Sequence, residues 1–143
     1  MSIARCVLCD EDGGQLVARR SHLRVVLVED PDYPAYVRVI WNAHVTELSD
    51  LAEAERTRLL AAVDAAETAL RQIMQPDKIN LASLGNQVPH LHWHVIARFV
   101  DDAHFPQPIW AARQRDPGAA RLLTRRQRLG ALTSRIAELL PPD

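Results

Sequence analysis

The residues best suited to chemistry in this chain lie in one short stretch, Pro89-His90-Leu91-His92-Trp93-His94-Val95-Ile96. Successive side chains of an extended strand point to opposite faces, so His90, His92 and His94 share one face while Leu91, Trp93 and Val95 share the other. The apolar face belongs on a core. The imidazole face needs partners or a ligand, because neutral imidazoles are poor core material and charged ones repel. Three uses compete for such a row: a metal-binding face, a phosphoryl or nucleotidyl transfer site, and a solvated face without chemistry. The flanks favour the second. No acid occurs from Leu84 to Phe99, whereas Gly85-Asn86-Gln87 forms a tight turn whose amide donors suit phosphate oxygens. Cys6 and Cys9 form a lone CxxC pair, which is half of a tetrahedral zinc set.

Elements that would position these groups are legible in the hydrophobic pattern. Asp12-Gly13-Gly14 marks a turn, and Gln15–Arg19 and Leu23–Val28 then read as two strands of a hairpin. Asp30-Pro31-Asp32-Tyr33-Pro34 cannot continue a ladder, since proline has no N–H, so a third strand starts at Tyr36 and runs to Ile40. Leu59, Val63, Ala66, Leu70 and Ile73 fall on one helical stripe, which predicts a helix of about five to six turns. Ser49 or Thr46 is the candidate cap, and Pro76 ends the helix. Lys78–Leu84 and Leu91–Phe99 read as an antiparallel strand pair. The capping-box spacing of Thr124 and Gln127 predicts a last helix to Leu140, with Leu129, Leu132, Ile136 and Leu139 inward. The expected fold class is therefore α+β, with a five-stranded antiparallel sheet, one long helix and a C-terminal helix.

Length and composition narrow the function classes. The 143 residues suit one domain, 48% hydrophobic and 24% charged, the balance of a globular protein. A net charge of -1 provides no global field toward nucleic acid or an anionic membrane, so neither is an expected partner. Lys78 is the one lysine, and six arginines lie between Arg113 and Arg128, read as a solvated helix face. No apolar run is long enough to span a bilayer, and Met1 to Arg5 lack a signal-peptide core, so a cytoplasmic location with reduced thiols is expected.

His90-Leu91-His92-Trp93-His94-Val95-Ile96 resembles the histidine triad (HIT) pattern, in which three histidines alternate with apolar residues before two further apolar positions. The resemblance extends to Asn80, to Gly85-Asn86-Gln87-Val88 and to His44 behind the third strand, covering about Cys6 to Phe99. It implies that His92 attacks the α-phosphorus of a nucleotide conjugate and passes through a nucleotidyl-histidine intermediate. By the same resemblance, the His90 carbonyl fixes the His92 tautomer, the His90 ring bridges toward His44, and His94 contacts the phosphate or leaving group. Asn80, Gly85, Asn86 and Gln87 would bind phosphate oxygens or the leaving group, and Glu29 or Asp30 the ribose. Gln87 stands where many relatives carry serine or threonine, and an amide cannot relay a proton, which favours dinucleoside polyphosphate hydrolysis over phosphoramidate cleavage. Nucleotidyl transfer to another acceptor and a non-enzymatic nucleotide-binding module remain open. No cofactor is required by this reading. Some family members join a CxxC pair to two histidines, which makes Cys6 and Cys9 candidate structural zinc ligands with His44 as a partner. A homodimer is implied by analogy. His22 and His104 match no triad position.

Overall fold

The computed structural model describes residues 5–143, so the N-terminal residues 1–4, on which the signal-peptide reading rests, lie outside the described part. Five strands form one antiparallel sheet: β1 (Gln15–Arg19), β2 (Leu23–Leu27), β3 (Tyr36–Trp41), β4 (Lys78–Ala82) and β5 (His92–Arg98). Their spatial order is β1-β2-β3-β5-β4. The chain leaves β3 through the long helix α2 (Glu53–Met74), enters the edge strand β4, and returns between β3 and β4 as β5. The histidine strand is thus central, with β3 on one side and β4 on the other.

The period-2 pattern separates two faces. Leu23, Val25, Val37, Val39, Trp41, Val95 and Ala97 point to one side and pack against Leu59, Val63, Ala66 and Leu70 of α2 and against Leu132 and Ile136 further on. Each is buried, and burying the valine, leucine and isoleucine side chains contributes on the order of 1.5–3 kcal/mol apiece. The opposite side carries the histidines and two smaller apolar clusters, Leu8 with Val26 and Ile40, and Tyr33 with Tyr36 and Ile96. These clusters flank the imidazoles and anchor the segments lying over that face. Among the described residues no helix is long and apolar enough to cross a membrane.

Three local expectations are corrected. Neither Ser49 nor Thr46 caps α2: the 3₁₀ turn Leu48–Asp50 intervenes, Thr46 donates to Asp50, and Glu55 accepts the Ala52 N–H instead. The last helix is two pieces, α3 (Ala119–Arg126) and α4 (Leu129–Leu139). Thr124 lies inside α3 and its hydroxyl donates to the Ala120 carbonyl, so it is engaged one turn back instead of opening a helix. A further one-turn helix, α1 (Val7–Asp10), contains Cys9, with Cys6 at its N-cap, and has no periodic signal of its own because it is only four residues long.

Beyond β5 the chain folds over the histidine side and is held by a buried ion pair. Arg98 is 2% exposed and Asp102 1%. Asp102 accepts Arg98 Nε at 2.7 Å and the N–H groups of Phe99, His104 and Phe105, while Arg98 also donates to Asn80 and to the Gln107 carbonyl. Burial alone would raise the Asp102 pKa, but the guanidinium and the backbone donors outweigh it and hold the carboxyl at about 2. Its stabilisation is therefore complete above about pH 3.8 and is lost as pH falls through about 2. Asp102→Ala would leave a buried guanidinium unpaired, and urea denaturation is expected to show a loss of about 3–5 kcal/mol at neutral pH. A loss within the range of an ordinary surface change, about 0.5 kcal/mol, would contradict this account.

Candidate active site and metal cluster

β5 begins at His92, and its register against β3 pairs His92 with Ile40 and His94 with Arg38. His92 and His94 therefore emerge beside β3 side chains of the same parity, with ring centroids 5.0 Å apart. His92 Nδ1 lies 2.5 Å from the His90 carbonyl oxygen, which can only accept, so Nδ1 carries the proton and donates. This leaves the Nε2 lone pair of His92 free as a nucleophile or base. His94 Nδ1 lies 2.7 Å from the Tyr36 hydroxyl. Burial, reinforced by the neighbouring His92 and Arg38, lowers the His94 pKa to about 4; burial likewise lowers that of His92. Both rings are neutral at pH 7.

A neutral buried imidazole has a consequence for stability. Unfolded His94 takes up its proton near pH 6.5, whereas in the folded chain it does so near pH 4, so stability declines as pH falls through that window. The full contribution is roughly 3 kcal/mol. Denaturation midpoints measured from pH 7.5 to 4 should fall, and His94→Gln should flatten the slope. An unchanged slope in the variant would dismiss the assignment.

The cavity in front of these rings has a volume of about 530 Å³, within the range of small-ligand sites. Gly85, Asn86, Gln87 and Val88 line it together with His92 and His94. Gly85 has φ +75°, a backbone conformation that favours glycine and turns the loop toward the histidines. Further lining residues carry no site role in the sequence pattern, among them Val7, Leu8, Glu11, Arg38 and Trp110. Trp110 is half-exposed and meets His94 edge-on, ring centroids 5.1 Å apart. An arginine inside an otherwise apolar strand was the available signal for Arg38; no periodic pattern marks Trp110.

Other candidates are placed elsewhere. Asn80 is on the histidine side of β4, but its carbonyl oxygen accepts Arg98 Nη1 at 2.7 Å and it does not line this cavity. Glu29 and Asp30 line a separate groove with Gly14, Gln15, Pro34 and Arg126, where Asp30 accepts the Asp32 N–H. His22 is exposed and stacks on Trp41, and His104 Nδ1 lies 2.6 Å from the Tyr33 hydroxyl.

His44 and His90 converge on the cysteines. Nδ1 of His90 lies 3.3 Å from Cys6 Sγ and 3.5 Å from Cys9 Sγ, and His44 Nδ1 lies 3.4 Å from Cys9 Sγ. All four donor atoms fall within 4.8 Å of one another. A tetrahedral zinc with Zn–S near 2.3 Å and Zn–N near 2.05 Å requires S···N edges of about 3.6 Å, so this S₂N₂ set is consistent with a zinc site. His90 Nε2 lies 2.6 Å from the Trp41 carbonyl oxygen and must donate to it, which leaves Nδ1 unprotonated and turned to the thiols. That outer hydrogen bond is the kind that orients a histidine ligand.

Comparison with known proteins matches the HIT domain model over residues 10–101. A Mycobacterium tuberculosis protein named AP-4-A phosphorylase is 32% identical over 104 residues, 68% of this chain and 53% of its own length. The chain thus spans about half the length of the curated relatives it matches. Among solved structures, a histidine triad protein from Bradyrhizobium japonicum superposes with a TM-score of 0.72 at 27% identity, covering 91% of this chain and 92% of the other. A zinc-bound histidine triad family protein from Mycobacterium smegmatis shares the fold, with a TM-score of 0.63 at 21% identity over 94% of each chain.

Proposed function

Because the chain belongs to the HIT domain family, we propose that it cleaves dinucleoside polyphosphates or related nucleotide conjugates at the α-phosphate through a nucleotidyl-His92 intermediate. The observation that carries this reading is the hydrogen bond from His92 Nδ1 to the His90 carbonyl, which leaves Nε2 as a free lone pair in a ring lining the cavity. Nε2 attacks the α-phosphorus, the P–N bond forms, and the P–O bond to the rest of the phosphate chain breaks, its electron pair leaving on oxygen. Water then attacks the same phosphorus, the P–N bond breaks, and a nucleoside monophosphate and a proton are released. Asn86 and Gln87 stand at the cavity wall as donors to the transferred phosphate.

The proton inventory favours a phosphate leaving group. An amine departs only when protonated, whereas a phosphate departs as a weakly basic anion. Here Gln87 cannot relay a proton, and His94 is neutral at pH 7. The name of the M. tuberculosis relative supports a second reading in which inorganic phosphate replaces water as the acceptor, yielding a nucleoside diphosphate. Incubation with diadenosine tetraphosphate, with and without inorganic phosphate, separates the two: AMP with ATP marks hydrolysis, ADP with ATP marks phosphorolysis. Failure to cleave any panel of adenylated and guanylated compounds would defeat both.

We assign the S₂N₂ cluster as a structural zinc site held by Cys6, Cys9, His44 and His90. Bound there, the ion would cross-link the α1 segment, the segment after β3 and the connection leading into β5, closing sequence separations of up to 84 residues. Family resemblance also supports a homodimer in solution, which sedimentation or light scattering tests.

A further inference from the structure

A substrate with several phosphates brings several negative charges into the cavity before His92, and the described residues lining it carry one fixed cation, Arg38, and one carboxylate, Glu11. Arg38 has no carboxylate within ion-pair distance among the described residues. Its Nη1 donates to the Gly13 carbonyl at 3.2 Å, its guanidinium lies 5.7 Å from the centre of the Tyr36 ring, and its Nε is buried without a hydrogen-bond partner. A half-buried guanidinium with spare donors and no counter-charge is costly unless an anion completes it, and phosphate oxygens are the acceptors that its planar fork matches.

Position distinguishes which phosphate. His92 pairs with Ile40 on β3, whereas Arg38 pairs with His94, one pleat further along. Two residues of strand amount to about 6.6 Å, the reach of a phosphate chain running away from the attacked phosphorus. Gly85, Asn86 and Gln87 meanwhile line the cavity from the β4–β5 connection. Resting on the reading of His92 above, we propose that Arg38 is a specificity-determining residue that anchors the phosphates beyond the one attacked, so that this chain selects nucleotides whose leaving group is itself a phosphate chain. The subsite takes a di- or triphosphate moiety, and the group attached to its far end is left to the remainder of the cavity.

Binding of inorganic tripolyphosphate to the metal-loaded protein, followed by calorimetry, tests this without any turnover. Loss of a charge-assisted contact should weaken tripolyphosphate about 10- to 100-fold in Arg38→Met, with part of the affinity restored in Arg38→Lys. In parallel, the ratio of kcat/KM for diadenosine tetraphosphate to that for adenosine 5′-phosphoramidate should fall about tenfold or more in Arg38→Met, because only the first substrate reaches the guanidinium. Equal tripolyphosphate affinity in wild type and Arg38→Met overturns the proposal, as does an equal loss on both substrates, which would place Arg38 on the attacked phosphate. Should Arg38→Met fail to fold, Arg38→Gln takes its place in both arms: tripolyphosphate affinity equal to wild type overturns the proposal. If His92→Asn kept full turnover, covalent catalysis would fail while the binding arm still judged Arg38 on its own.

Discussion

Replacing His92 by asparagine is expected to lower kcat by at least about a thousandfold, because on the proposed mechanism the variant loses the imidazole that forms the covalent intermediate. The replacement is close in size, so the cavity wall and its 530 Å³ volume should survive. An amide nitrogen donates hydrogen bonds but has no lone pair available to attack phosphorus. Acid-quenched wild-type protein mixed with diadenosine tetraphosphate should show a nucleotidyl adduct by mass, and the variant none. Nucleotide affinity depends on the surrounding donors and should change far less than kcat. Residual turnover within about tenfold of wild type would mean that water attacks directly, with His92 at most a base. A variant that binds normally, turns over nothing and forms no adduct is the expected result.

Stripping zinc from the protein should have the next largest effect. Structural zinc sites contribute folding free energy directly, and here the four candidate ligands lie on three segments far apart in sequence. Chelation, or Cys6→Ser with Cys9→Ser, is expected to lower the thermal midpoint by on the order of 10 °C, and the purified protein should contain stoichiometric zinc. Cobalt substitution should give the absorption bands of a tetrahedral S₂N₂ site. Activity should fall too. The carbonyl that holds the His92 tautomer belongs to His90, whose ring is fixed on one side by the Trp41 carbonyl and on the other by the cluster. With zinc bound at the cluster, removing it would release one of these two anchors, and His92 would lose part of its orientation. Protein that contains negligible metal as purified and melts identically with and without chelator would refute the assignment.

These effects converge because one residue faces two ways. His90 directs its side chain to the cysteines and its backbone carbonyl to the nucleophile. A role bridging the His90 ring toward His44 is compatible with this geometry in one respect: the two rings pack edge to face, with centroids 5.2 Å apart. The structure adds that both rings present Nδ1 to sulfur.

What could be read from the sequence and what could not divide along a physical line. Alternation in His92, Trp93, His94 and Val95 sufficed to separate an imidazole face from a core face within β5, since strand geometry forces that parity whatever surrounds it, whereas His90 lies before the strand. The stripe from Leu59 to Leu70 and the stop at Pro76 likewise followed from helical period and from the missing proline donor. Each of these is local: a few consecutive residues and one dihedral preference decide it. Which distant segments lie over the histidine face was decided by packing alone. Cys6 and Cys9 reach His90 across more than 80 residues because α1 docks through Leu8 onto Val26 and Ile40. Arg38 and Trp110 enter the cavity through the β3–β5 register and through the segment held by Arg98 and Asp102, while Glu29 and Asp30 turn into another groove and Asn80 is occupied by Arg98. Spacing along a chain carries no information about such contacts, because they depend on how two separately formed surfaces fit, which exists only once the sheet and its covering segments have assembled.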